Sequence, residues 1–353
     1  MRLGLTLPLM SMETVPSFVS HIAQRNGLRH VQDFVQDMDL SWRKILQLDP
    51  DTIQHLAYLT GAGPEALAAG SFAPVGDGFF RFSGRDLPLS FLDRSVLKYC
   101  PVCVTNDRDV HGRTWGRALW QLNSLQVCPA HSLMLDALAP PDYPRCPHDF
   151  AGRIADHRAL IDAFPVVEVS ENAARFARYL TDRLHGHGDH CCDSWLDGFP
   201  LDVAARLCEN VGTLVEAGPN QHPKALDRKS MIDVGASGFA ICVKGPDALR
   251  DVYDSIRRRS PSSKGGFYAD FGFIPDGCSA WLNRSDIGRC SIISKASYWI
   301  AIPWLRVRRS WGAAAPGGDG SPGEKSGGNM VSAPGASRGS SAPLASAVMI
   351  CDG

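Results

Sequence analysis

The sequence predicts a mostly α-helical protein: an N-terminal helical unit with a helix-turn-helix-like pair, a small cysteine-anchored module, an α-helical body and a disordered C-terminal tail. Three observations predict it. Apolar residues recur at helical spacing in five separated runs between Val15 and Ile256. Two short Cys-containing knuckles lie close together between Cys100 and His131. From Gly312 to Ser346, Gly, Ala, Ser and Pro supply 27 of 35 residues, which leaves too little apolar surface to offset the entropy of ordering. The predicted parts are residues 1–88, 89–150, 151–272 and 273–353.

The first helix is read between Thr14 and Gly27, where Val15, Phe18, Val19, Ile22 and Ala23 share a face, Thr14 caps the start and Gly27 marks the stop. A second, from about Asp51, carries Ile53, Leu56, Ala57 and Thr60 up to Gly61-Ala-Gly63. Pro64 then opens a short helix anchored by Leu67. Helix, glycine turn, helix is the plan of a helix-turn-helix, and Ala57, Gly61 and Leu67 meet its packing needs. The second helix, PEALAAG, nevertheless offers no Arg, Lys, Asn or Gln to read base edges, and its single charge, Glu65, repels phosphate. That composition favours a helical hairpin for packing or protein docking. Between Gly70 and Pro88 the Gly-, Pro-, Phe- and Ser-rich sequence reads as a loop or irregular hairpin.

Cys100 and Cys103 form a Cys-X-X-Cys knuckle; after 24 intervening residues, Cys128 and His131 form Cys-X-X-His. Three thiolates and one imidazole at this spacing suit a tetrahedral Zn2+. Pro101 and Pro129 stiffen the two turns so that backbone N–H groups can face the sulfurs. All four positions are filled by protein ligands, so the predicted zinc is structural, without the open position that hydrolysis needs. A thioredoxin-like use of Cys100 and Cys103 lacks its βαβ surroundings. Trp115, Leu119, Trp120, Leu122, Leu125 and Val127 supply the packing between the knuckles, and Leu133 and Leu135 dock the module on its neighbours. Cys146 with His148, and the loop containing His185, His187, His190, Cys191 and Cys192, offer further ligand atoms without paired knuckles; a second metal site there is left open. Cys208 and Cys242 are expected in the core.

In the body, Ser170 caps a run with Ala173, Phe176, Ala177, Leu180 and Leu184 on one face, and Asp202 precedes Val203, Ala204, Leu207, Val211, Leu214 and Val215. Gly235, Ala236 and Gly238 mark close backbone packing. Gly245-Pro246 starts a last helix with Leu249, Val252, Tyr253 and Ile256. Helical periodicity is lost after about Gly272.

Composition narrows the function. With 36 Lys+Arg against 37 Asp+Glu and a pI near 6.8, no overall positive field draws the chain to nucleic acid, so DNA contact is expected to be weak or indirect. Three of the eleven cysteines fall in paired knuckles within one 32-residue segment, unlike a disulfide framework, which points to a reducing cytoplasm. Neither a signal peptide nor a membrane span is expected.

Three quoted stretches carry a resemblance: LPL…ET…S…IAQRNGL from Leu7 to Leu28, LAYLTG from Leu56 to Gly61, and CPVC…GRALWQLNSLQVCPAH from Cys100 to His131. It continues through LDVAARLCENVG and VGASGFAI, over about residues 1–272. On these residues the chain resembles the TniQ family of transposition proteins. The resemblance implies a non-enzymatic adaptor that links a target-recognising component, a sequence-specific DNA binder or a CRISPR effector complex, to an AAA+ ATPase that recruits the transposase. It implies a zinc-ligand role for Cys100, Cys103, Cys128 and His131, and leaves a homodimer open. The tail departs from the family pattern and reads as truncated or frameshifted sequence. The alternative reading is a stand-alone helix-turn-helix and zinc DNA-binding regulator, with Arg43 and Lys44 on the DNA backbone.

Overall fold

A computed structural model describes residues 2–94, 96–143, 145–163, 166–186 and 195–259. The predicted disordered tail over 273–353 lies outside these residues, as do 187–194 of the His- and Cys-rich loop. Helix α1 (Val15–Arg25) starts where expected, with the Thr14 hydroxyl accepting the Ser17 N–H at 3.4 Å, and Gly27 takes a φ of 81°. Helices α2 (Val31–Asp37) and α3 (Trp42–Leu46) follow. Helix α4 (Pro50–Thr60) is capped by Asp49 and closed by Gly61 at φ 79°, the left-handed geometry that glycine adopts without strain. Helix α5 (Pro64–Ala69) completes the helix-turn-helix-like pair. Val15, Phe18, Ile22, Phe34, Ile45, Leu56 and Leu67 form a hydrophobic cluster shared by all five helices.

Residues 73–88, expected to be a loop or irregular hairpin, form a regular antiparallel sheet of three strands: β1 (Ala73–Gly76), β2 (Phe79–Phe82) and β3 (Arg85–Pro88). Both turns, Asp77-Gly78 and Ser83-Gly84, have positive φ at each central residue. That matches the right-handed twist of paired strands.

The cysteine segment is built from β4 (Leu97–Tyr99), α6 (Pro101–His111), β5 (Val127–Cys128), β6 (Leu133–Met134) and β7 (Asp136–Leu138). Strand β4 pairs antiparallel with β7, and β5 with β6. Short helices α7 (Phe150–Asp156) and α8 (Arg158–Asp162) precede the body, which consists of α9 (Glu171–His185), α10 (Leu201–Glu216), α11 (Arg228–Cys242) and α12 (Pro246–Arg259). Helix α9 has the expected Ser170 cap. A second hydrophobic cluster runs from Phe72 through the cysteine segment to Leu249, so that segment shares its core with the body. Helices α10 and α11 touch backbone to backbone. A Cβ at Gly212 would strike the Val234 carbonyl, and one at Gly238 the Cys208 carbonyl. Among the described residues no helix is long and apolar enough to cross a membrane.

Candidate metal centre

Strand β4 delivers Cys100 to the N-cap of α6, Pro101 occupies the first helical position, and Cys103 falls in the first turn. Proline suits that place because its missing N–H has no intrahelical partner there. Both sulfurs sit at the positive end of the helix, where thiolates are favoured. The backbone N–H of Cys103 donates to the Cys100 sulfur. On the other side, Cys128 ends β5, its carbonyl accepts the Ser132 N–H at 2.9 Å, and Ser132 takes a φ of 54°. This tight turn presents His131, whose backbone N–H donates to the Cys128 sulfur.

The two knuckles converge. Sulfur and imidazole atoms of Cys100, Cys103, Cys128 and His131 all lie within 4.8 Å of one another. A tetrahedral ion with bonds of about 2.3 Å to sulfur and about 2.0–2.1 Å to nitrogen sets sulfur–sulfur edges of about 3.8 Å and sulfur–nitrogen edges of about 3.6 Å. The edges found are 3.7 Å between Cys103 and Cys128, and 3.6, 3.3 and 3.6 Å from the Cys100, Cys103 and Cys128 sulfurs to His131 Nδ1. None of these cysteines is in a disulfide. The three are buried and His131 is half-buried.

As protons alone, the cluster is electrostatically frustrated. Hydrogen bonds from Cys100 and Cys103 pull the Cys128 thiol well below the ordinary thiol range, while hydrogen bonds with Cys100, then Cys128, and burial push Cys103 far above it. A divalent cation lets all three sulfurs ionise together. The donor set therefore fits a buried metal ion.

Arg117 flanks this cluster, and nothing in the sequence marked it. Its guanidinium makes two 2.8 Å bonds to Asp107 and stacks on Trp115 and Trp120, 4.5 and 4.9 Å from the ring centroids. Burial opposes that charge, but Asp107 and the Cys103 and Cys128 sulfurs outweigh the penalty and raise its pKa. The pair also ties α6 to the Trp-rich segment. Lys98, likewise unremarked, is buried with its ammonium donating to the Leu122 and Leu125 carbonyls at 2.5 and 2.9 Å; burial brings its pKa down to about 7.

The remaining candidate ligands go elsewhere. Cys146 packs in the N-terminal hydrophobic cluster, and Cys208 and Cys242 are fully buried in the body, as expected for the last two. Among the described residues no second group of three metal-binding side chains occurs. The loop residues His187, His190, Cys191 and Cys192 lie outside them.

Residues 5–135 match the TniQ family model, a span that contains α1 to α6 and all four members of the cluster. No curated protein matches the chain.

Proposed function

We propose, from the match of residues 5–135 to the TniQ family model, that this chain is a non-enzymatic target-selection adaptor for DNA transposition. It connects a target-recognising complex, either a sequence-specific DNA binder or a CRISPR effector, to the AAA+ ATPase that recruits the transposase. The observation that carries this reading is the family match over a segment whose Cys3His cluster is closed. Cys100, Cys103, Cys128 and His131 hold one Zn2+ and leave no position for a reacting water. Zinc binding of this kind supplies about 10–16 kcal/mol of apparent free energy, which orders a segment whose strands are only two or three residues long. The cation would neutralise the sulfurs and fix the knuckles; no chemistry beyond this is needed of it.

The helix-turn-helix-like pair supports docking on protein. Helix α5 has six residues, and its one charged side chain is Glu65. A stand-alone DNA-binding regulator needs a helix that reads base edges, and α5 has none of the side chains for it. The adaptor works in the cytoplasm, beside the ATPase. Co-purification with an AAA+ transposition ATPase tests the proposal. Stable capture with weak, sequence-indifferent gel shifts is the expected result; tight sequence-specific DNA binding and no ATPase capture would favour the regulator.

A further inference from the structure

Arg94 is a basic side chain without a salt-bridge partner among the described residues. Its Nη2 donates to the Leu46 carbonyl at 3.0 Å and its guanidinium lies 5.0 Å over the Phe80 ring, but it forms no ion pair with any described residue. Burial is the one influence on its pKa, and lowers it. A half-buried guanidinium in that position is costly unless an anion joins it.

The neighbouring space suits one. Arg94 lines a half-open cavity of about 50 Å³, together with His148, Arg117, Lys98 and Gln121, and its lining contains no carboxylate. Two of the bases are already satisfied: Arg117 by Asp107, and Lys98 by two carbonyls. Arg94 and His148 remain. The His148 imidazole has no hydrogen bond to a described residue, and its pKa is lowered to about 4 by burial, then by the charges of Arg94 and Arg153. Arg94 and His148 therefore face a space whose lining holds no carboxylate. A buried water needs roughly 10–15 Å³ on this measure, so the space accommodates several waters or one tetrahedral oxyanion.

We propose that this cavity, between the start of α1, β4 and the segment before α7, binds a phosphate group through Arg94 and His148. The planar guanidinium supplies paired donors to two phosphate oxygens, and the imidazole supplies a third. The phosphate comes either from a nucleic-acid backbone or from a free phosphate ion. The proposal stands on the cavity alone and is independent of the adaptor role.

The test uses the full zinc-containing chain: calorimetric titration with inorganic phosphate, and fluorescence anisotropy with a labelled DNA duplex. Arg94→Gln, Arg94→Lys, His148→Gln and the exposed control Arg175→Gln on α9 are compared. Loss of a charged hydrogen bond predicts about tenfold weaker phosphate binding in Arg94→Gln and an unchanged value in Arg175→Gln. If duplex binding falls in parallel and phosphate competes for it, the source is the nucleic-acid backbone; if duplex binding is unaffected, the source is free phosphate. Should Arg94→Gln fail to fold, Arg94→Lys and His148→Gln carry the same comparison. Unchanged binding of both ligands in folded, zinc-loaded Arg94 and His148 variants overturns the proposal, as does the absence of phosphate and duplex binding by the unmodified protein.

Discussion

Arg113 holds Glu13 with both terminal nitrogens at 2.7 Å, across one hundred residues of sequence. The carboxylate is fully buried and also accepts from the Ser17 hydroxyl at 3.1 Å and the Met10 N–H at 3.0 Å. This pair joins the entry to α1 to the chain just beyond α6, so the N-terminal helices and the cysteine segment are fastened through it. Removing one partner strands the other charge, which predicts that Glu13→Gln costs about 3–5 kcal/mol in urea unfolding. A loss below about 1 kcal/mol would mean the pair behaves as a surface bridge.

His21 sits beside that pair, its Nδ1 2.8 Å from the Ser17 carbonyl. Burial, then the Arg113 charge, lowers its pKa from 6.5 to about 4. In the unfolded chain the imidazole takes up a proton near its ordinary value, so between those two pKa values the unfolded state binds more protons than the native one. Stability therefore falls as pH drops from about 6.5 towards 4, by about 2 kcal/mol between pH 7 and pH 5 from this residue alone. Urea midpoints at the two pH values, compared with His21→Gln, isolate the contribution. The variant should show a shallower slope, and an identical slope would remove His21 from the account.

Gly238 faces the Cys208 carbonyl, where a Cβ finds no room, and neither backbone can give way easily. Gly238→Ala should destabilise the body by about 1–3 kcal/mol or more through overpacking of α10 against α11. By contrast Gly27→Ala, open to solvent but at a φ of 81°, should cost only its backbone strain, about 1 kcal/mol. Thermal melts of the two variants distinguish these causes; equal shifts would contradict the close-packing argument.

How much was legible in the sequence follows from the range of each interaction. Helices α1, α4 and α9 write themselves into the chain through caps and apolar spacing, and α10 and α12 through apolar spacing. Helices α2 and α3 are seven and five residues long, too short for a period to emerge, and α11 packs with glycines and small residues where an apolar stripe would have been sought. The three-stranded sheet did leave a signal: Asp77-Gly78 and Ser83-Gly84 are hairpin dipeptides, hidden among prolines and glycines that read as irregular. Cys100, Cys103, Cys128 and His131 were legible because two local spacings meet at one point. Arg117, Arg94 and the Glu13–Arg113 pair were not. Each depends on residues brought together by the fold, and a long-range ion pair has no local pattern to announce it.

The central claim, that four side chains enclose one structural Zn2+, is tested most directly by zinc-edge X-ray absorption on the protein as purified. The account predicts one zinc per chain with three sulfurs at about 2.3 Å and one nitrogen at about 2.0–2.1 Å. Metal-free, folded protein, or a zinc shell containing water oxygen and fewer than three sulfurs, would contradict it.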